Sequence, residues 1–232
     1  DAILKTVDAV LLSVPVQQYE KVLRQFLPVL PPSALLFDAG STKHDVQELI
    51  QKLELDFPGL GARFVGAHPI AGGEKNGPGA AVAGLYQGKT CVICPNPDND
   101  VLRIDQTERF WSGLGATLRR MEALDHDEMF GAVSHLPHLL SFAYVASVLT
   151  HTKGAHFMDE GGAGFRDFTR IAASSPEMWA DIFQNNDKAM LAFLDRFEST
   201  LATWRSAIEK KDREFLDQAL KQASDYRAHW GE

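Results

Sequence analysis

Apolar residues in the first half of the chain come in short unbroken runs, with amphipathic stretches between them. Val7 to Val14 (VDAVLLSV) is nearly continuous and ends at Pro15. Such runs mark strands of parallel sheets covered on both faces. Tyr19, Val22, Leu23, Phe26 and Leu27 then recur at helical spacing, and Pro28, Pro31 and Pro32 stop that helix. Ala34 to Phe37 form a second short strand. After it, Ser41 and Thr42 stand as N-caps of a helix bearing Val46, Leu49, Ile50 and Leu53. A third strand ends at His68. Lys89 to Cys94 form another strand, Val101 to Leu114 a helix, and Ala116 to Met121 a last strand. The alternation predicts an α/β unit, a parallel sheet with helices on its faces.

From Asp125 onward no strand is predicted. Met129, Val133, Leu136, Leu140, Ala143 and Val148 lie on a helix apolar on most sides, which predicts burial. Ser174 or Ser175 caps a helix with Pro176 at its first position. Met190, Phe193, Phe197, Leu201, Trp204 and Ile208 make a stripe, and Asp212 caps a final helix. These stripes are core or a subunit interface. The pattern divides the chain into an α/β domain, 1–122, and an all-α domain, 123–232.

Composition narrows the function classes. The net charge is −8, with no basic stripe, which argues against nucleic acid as a partner. No apolar run reads as long enough to span a membrane and no leader is evident, so a cytoplasmic setting is expected. Cys91 and Cys94 form a C-x-x-C inside a predicted strand, where odd spacing sends the two thiols to opposite faces. Neither a redox nor a metal role is expected of them. Gly59-Leu-Gly61 precedes a strand and so is no dinucleotide loop. Gly84 to Thr90 is one residue short of a P-loop and runs into a strand instead of a helix.

Three stretches can carry chemistry. In RFVGAHPIAGG, Gly66 and Ala67 leave room for a close approach, and Pro69 holds His68 extended at the carboxyl end of a strand. Open α/β sheets bind ligands at that end, and imidazole takes up a proton near neutral pH. A solvated turn histidine is the plain alternative. In Ser134-His135-Leu-Pro137-His138, proline inside a helix and two histidines sharing a face suggest a site; satisfied core histidines or a metal pair are the alternatives. In GGAGFRDFTR, Arg166 and Arg170 suit an anion, with Asp167 three residues before Arg170 to hold it. The alternative is a surface ion pair.

GAHPIAGGEKNGP, SHLPH and GGAGFRDFTRIA, in this order, closely resemble prephenate dehydrogenase and its arogenate and cyclohexadienyl relatives. The likeness runs from VDAVLLSVP through DAGSTK into the helical half. It implies a Rossmann-type nucleotide-binding domain followed by an all-helical substrate-binding domain that forms a homodimer. It also implies oxidative decarboxylation of prephenate, or arogenate, with NAD or NADP as hydride acceptor, in tyrosine biosynthesis. By resemblance His68 is the catalytic hydrogen-bond acceptor, and Ser41 orients it and the nicotinamide. His138 and Arg170 match substrate-binding positions, with Glu74, Asp167, Trp179, Arg166 and His135 around the pocket. Ser13, Val14 and Pro15 match the loop beside the nicotinamide ribose. The family opens on a strand and a G-x-G-x-x-G turn; this sequence starts after that unit, at what looks like the fourth strand of the sheet. A cofactor-deficient fragment for dimerisation and substrate binding is therefore a second reading. A β-hydroxyacid dehydrogenase is a third, against which SHLPH and FRDFTRIA argue.

Overall fold

The computed structural model describes residues 2–72, 79 and 81–230. Five strands form one sheet in the order β1 (Ala9–Leu12), β2 (Leu35–Asp38), β3 (Phe64–Pro69), β4 (Thr90–Cys94) and β5 (Thr117–Arg120). The pairs β1–β2, β2–β3 and β4–β5 are parallel, while β3 and β4 are antiparallel. One antiparallel step departs from the all-parallel expectation, and its cause is the connection. Parallel neighbours need a crossover, usually a helix, whereas an antiparallel strand can return directly. Helix α1 (Tyr19–Phe26) joins β1 to β2, α2 (His44–Glu54) and the single turn α3 (Leu60–Arg63) join β2 to β3, and α4 (Val101–Gly113) joins β4 to β5.

Both faces of the central strands are covered, so they read as unbroken apolar runs. Leu12 and Leu36 pack with Tyr19, Leu23, Phe26, Val46 and Ile50 on one face. Leu35, Phe37, Val65 and Ile93 pack with Trp111 of α4 on the other. Cys91 lies in that second cluster and Cys94 in a third with Val92, Ala123 and Phe130; burial pushes both thiols up to about 12. β1 departs from the expectation of double cover. It is the edge of the described sheet, with Ala9 and Leu11 exposed and Leu12 buried.

The helical half holds α5 (Ala123–Phe130), a π turn (Gly131–His135), α6 (Leu136–Leu149), α7 (Gly154–Asp159), α8 (Ala163–Thr169), a 3-10 turn (Arg170–Ala173), α9 (Pro176–Asn185), α10 (Asp187–Lys210) and α11 (Arg213–His229). Pro137 is accommodated by the π turn directly before α6, where the Leu136 amide donates to the Gly131 carbonyl and the wider spacing relieves the clash a proline ring meets inside a regular α-helix. Ser175 caps α9, accepting from the Met178 amide at 3.4 Å, and Asp212 caps α11, accepting from Phe215 at 3.0 Å. Compact packing unites residues 1–190, and residues 191–232 form a second unit.

Two expectations fail in this half. The apolar α5–α6 helix is not buried: Val133, Tyr144 and Leu149 are 67%, 42% and 56% exposed. The continuous stretch Ala123–Leu149 is also long and apolar enough to cross a membrane, with mean hydropathy 1.4, contrary to the expectation of no such run. Both failures have one cause. Apolarity on several sides of a helix demands cover without specifying what provides it.

The buried charge lies at the carboxyl end of β2. Asp38 accepts from the Tyr19 hydroxyl (3.1 Å), the Gly40 amide (3.1 Å) and, across to β3, the Ala67 amide (2.8 Å), and it pairs with the Lys43 ammonium. Burial, then the Asp38 charge, raises the Tyr19 pKa, so its hydroxyl stays a donor. Gly40 is required here, since a Cβ would come within 2.8 Å of the Tyr19 hydroxyl and 2.9 Å of Asp38. The close approach expected at Gly66 is that of the Cys94 carbonyl of β4 and of the Lys43 chain, which would lie 3.1 Å and 3.3 Å from an added Cβ. Removing one member of a buried pair strands the other charge, at a cost of about 3–5 kcal/mol. Lys43→Met should therefore lower the urea midpoint strongly, whereas Arg24→Ala, which breaks only exposed pairs with Glu20 and Asp56, should barely move it. Equal midpoints for the two variants would show that the buried pair contributes nothing.

Candidate active site

The carboxyl ends of three neighbouring parallel strands meet at one edge: Leu12 before Ser13–Pro15, Asp38 before Gly40–Lys43, and His68 near the end of β3. This is where open α/β sheets place ligands. Helices α5, α6 and α9 bring the remaining side chains.

The cap of α2 comes from far along the chain. Neither Ser41 nor Thr42 caps it. Instead Asp127 of α5 accepts from the backbone amides of Lys43 (2.9 Å) and His44 (2.8 Å). A carboxylate at a helix N-terminus satisfies orphan donors and meets the positive end of the dipole. The same carboxylate takes a third bond, from His126 Nδ1 at 2.7 Å, and His126 Nε2 lies 2.9 Å from His68 Nδ1. The His68 ring thus meets His126 through Nδ1, while Ser41 sits half-buried in the bend before Lys43. Phe130 packs against both rings, with centroids 4.9 Å from His68 and 4.6 Å from His126. Burial first, then the charges of His126, Lys43 and His135, hold the His68 pKa well below its ordinary value. His126 is lowered too, burial outweighing the carboxylate. His68 is therefore neutral at pH 7.

A second group is built on α6 and α9. His138 stacks on Trp179 with centroids 3.6 Å apart and planes 20° from parallel, and its Nδ1–H donates to the Ser134 carbonyl at 2.8 Å, leaving Nε2 as an acceptor. His135 is buried. Its Nδ1 accepts from Asn186 (3.0 Å), which also donates to the Asp127 carbonyl (2.8 Å), and burial takes its pKa down to about 4. The buried indole N–H of Trp179 has no acceptor among the described residues. Two positions further along α9, Asp181 accepts from the amides of Val16 (2.9 Å) and Gln17 (3.3 Å), which fixes the loop that follows Ser13, Val14 and Pro15.

Arg170 opens the 3-10 turn that packs against α6. Its charge reaches His138 and, after burial, helps lower that imidazole's pKa. Arg166 and Asp167 are exposed on α8, and Arg170 is exposed on the turn that follows it. Glu74 lies outside the described residues. Among the described residues no cluster of three or more His, Cys, Asp or Glu could hold a metal. Sequence reasoning missed His126, Asp127, Lys43, Asn186 and Asp181. The adjacent His126-Asp127 at the start of an apolar helix was the available signal.

Residues 1–120 match the nucleotide-binding domain of prephenate dehydrogenase and residues 122–222 its dimerization domain. A cyclohexadienyl dehydrogenase of Zymomonas mobilis is 33% identical over 97% of this chain and 75% of its own length. A Bacillus subtilis prephenate dehydrogenase is 30% identical over 97% of this chain and 60% of its own length. A crystal structure of prephenate dehydrogenase from A. aeolicus, in complex with hydroxyphenyl propionate and NAD+, superposes with a TM-score of 0.85 at 36% identity, covering 95% of this chain and 76% of that one. With both domain matches in sequence order and relatives of this identity, the chain belongs to the prephenate dehydrogenase family.

Proposed function

We propose that this chain carries out the oxidative decarboxylation of prephenate, with His68 as the base that accepts the ring hydroxyl proton. The observation that carries this reading is the setting of His68: its ring lies at the carboxyl end of a strand with Nδ1 2.9 Å from His126 Nε2, and burial and nearby positive groups hold its pKa well below the ordinary value. The relatives support the reaction class, and NAD+ is the acceptor named with the A. aeolicus enzyme.

Ser13, Val14, Pro15 and Ser41 lie at the strand ends where a nicotinamide ribose would sit. When bound, the dinucleotide supplies the hydride acceptor. The chain's part is to position and to move a proton. His68 takes it at Nε2, and a placed base contributes about 10²–10⁴ in rate. Arg170, near His138, is the anchor for a substrate carboxylate, which it can grip bidentately. His138, held flat by Trp179, offers an acceptor. The Trp179 N–H, unpartnered among the described residues, offers a donor. His135 and Asn186 brace the pocket, and Arg166 and Asp167 lie toward its outside. The choice between prephenate and arogenate, and between NAD+ and NADP+, belongs to this proposal and is decided by comparing kcat/KM for each. The uncovered apolar residues of the π turn, α6, α10 and α11, including Val133, Leu149, Leu201, Ile208 and Leu220, are of the kind buried between subunits, which supports a homodimer. A cytoplasmic, tyrosine-producing role fits the family.

His68→Asn should lower kcat by roughly two to four orders of magnitude with little change in KM. Since the active form is the neutral one and its pKa is depressed, wild-type kcat/KM should hold steady as pH falls through 6.5 and drop only under more acidic conditions; near-normal kcat in the variant would remove His68 from the mechanism. Arg170→Gln should raise KM steeply, by the equivalent of roughly 2–5 kcal/mol, with kcat little affected, because a carboxylate is bound alike in ground and transition states. Lysine should rescue it in part. Should Arg166→Gln carry the KM defect instead, the assignment is reversed. Sedimentation at micromolar concentration should show a dimer, and a stable monomer there would refute the interface.

A further inference from the structure

We infer that Asp127, acting through His126, is the positioning residue that fixes the ring and the tautomer of His68. This rests on the reading of His68 as the base. A carboxylate can only accept, so His126 carries its proton on Nδ1, facing Asp127 Oδ1 at 2.7 Å. Neutral His126 then has its lone pair on Nε2. His68 Nδ1, 2.9 Å away, must donate to it. The one remaining ring nitrogen of His68, Nε2, is thereby the acceptor. Asp127 is itself anchored, because the amides of Lys43 and His44 at the start of α2 hold both of its oxygens.

The groups around the pair oppose any other arrangement. His68 is faced by His126 from α5, by His135 from the π turn and by Lys43 from the segment before α2. His126 is faced by Asp127 on its own helix, by Lys43 and by Asp38. Phe130 closes one side of both rings. A protonated His68 would meet a buried ammonium with no carboxylate of its own. The structure therefore keeps His68 neutral, and the hydrogen-bond chain chooses which of its nitrogens is bare.

The test reads the tautomer directly, by nitrogen-15 NMR of the histidine rings in the full-length protein, beside steady-state kinetics. In the wild type His68 should carry hydrogen on Nδ1. His126→Phe keeps the ring packing against Phe130 but removes the acceptor, so the His68 signals should leave the Nδ1–H pattern. Its kcat should fall roughly tenfold to a hundredfold, the loss usual when a partner that orients a working histidine is removed, with KM little changed. His126→Gln restores an acceptor and should recover part of both. Finding Nε2–H on His68 in the wild type overturns the inference, even if no variant folds. So does an unchanged Nδ1–H tautomer in His126→Phe. The base assignment stands or falls separately, on His68→Asn.

Discussion

Lys43 holds two carboxylates in place at once, and much of the site hangs from it. Its ammonium is buried against Asp38, and its backbone amide donates to Asp127. Asp38 ties α1, the end of β2 and the end of β3 together through Tyr19, Gly40 and Ala67. Asp127 brings α5 onto the start of α2 and, through His126, onto His68. A buried ammonium is tolerated only with such compensation. The cluster therefore joins the α/β part to the first of the later helices through hydrogen bonds whose members cannot be removed singly.

The sheet and its helices were legible because their signals are local. Leu35, Leu36 and Phe37 form an unbroken run because both faces are covered, and Pro28 and Pro31 end a helix wherever they occur. His68, His138 and Arg170 were legible as motif residues. The Asp127 cap was not, because its partners lie 83 and 84 residues away in the chain while Ser41 and Thr42 offered a sufficient local answer. His126 was hidden likewise: beside a carboxylate on a helix it reads as one more solvated side chain.

The apolar stretch Ala123–Leu149 shows a different limit. Its hydropathy alone admits burial in a core, a membrane or an interface, and the fold of one chain rules against the first. The dimerization-domain match accounts for such a face without requiring lipid. Polar groups within the stretch point the same way, since His126, Asp127 and His135 all have partners inside the protein.

Helix α9 meets two different structures with residues only two positions apart. Trp179 lies against the His138 ring, and Asp181 holds the amides behind the β1 loop. Two positions along a helix are about 200° of rotation at 3.6 residues per turn, so these side chains leave from nearly opposite sides. The helix thus serves as a spacer of fixed gauge. The span between the β1 loop and the imidazole wall is set by the thickness of one α-helix, about 10 Å with its side chains. Loops can lengthen and surfaces can drift without touching that dimension.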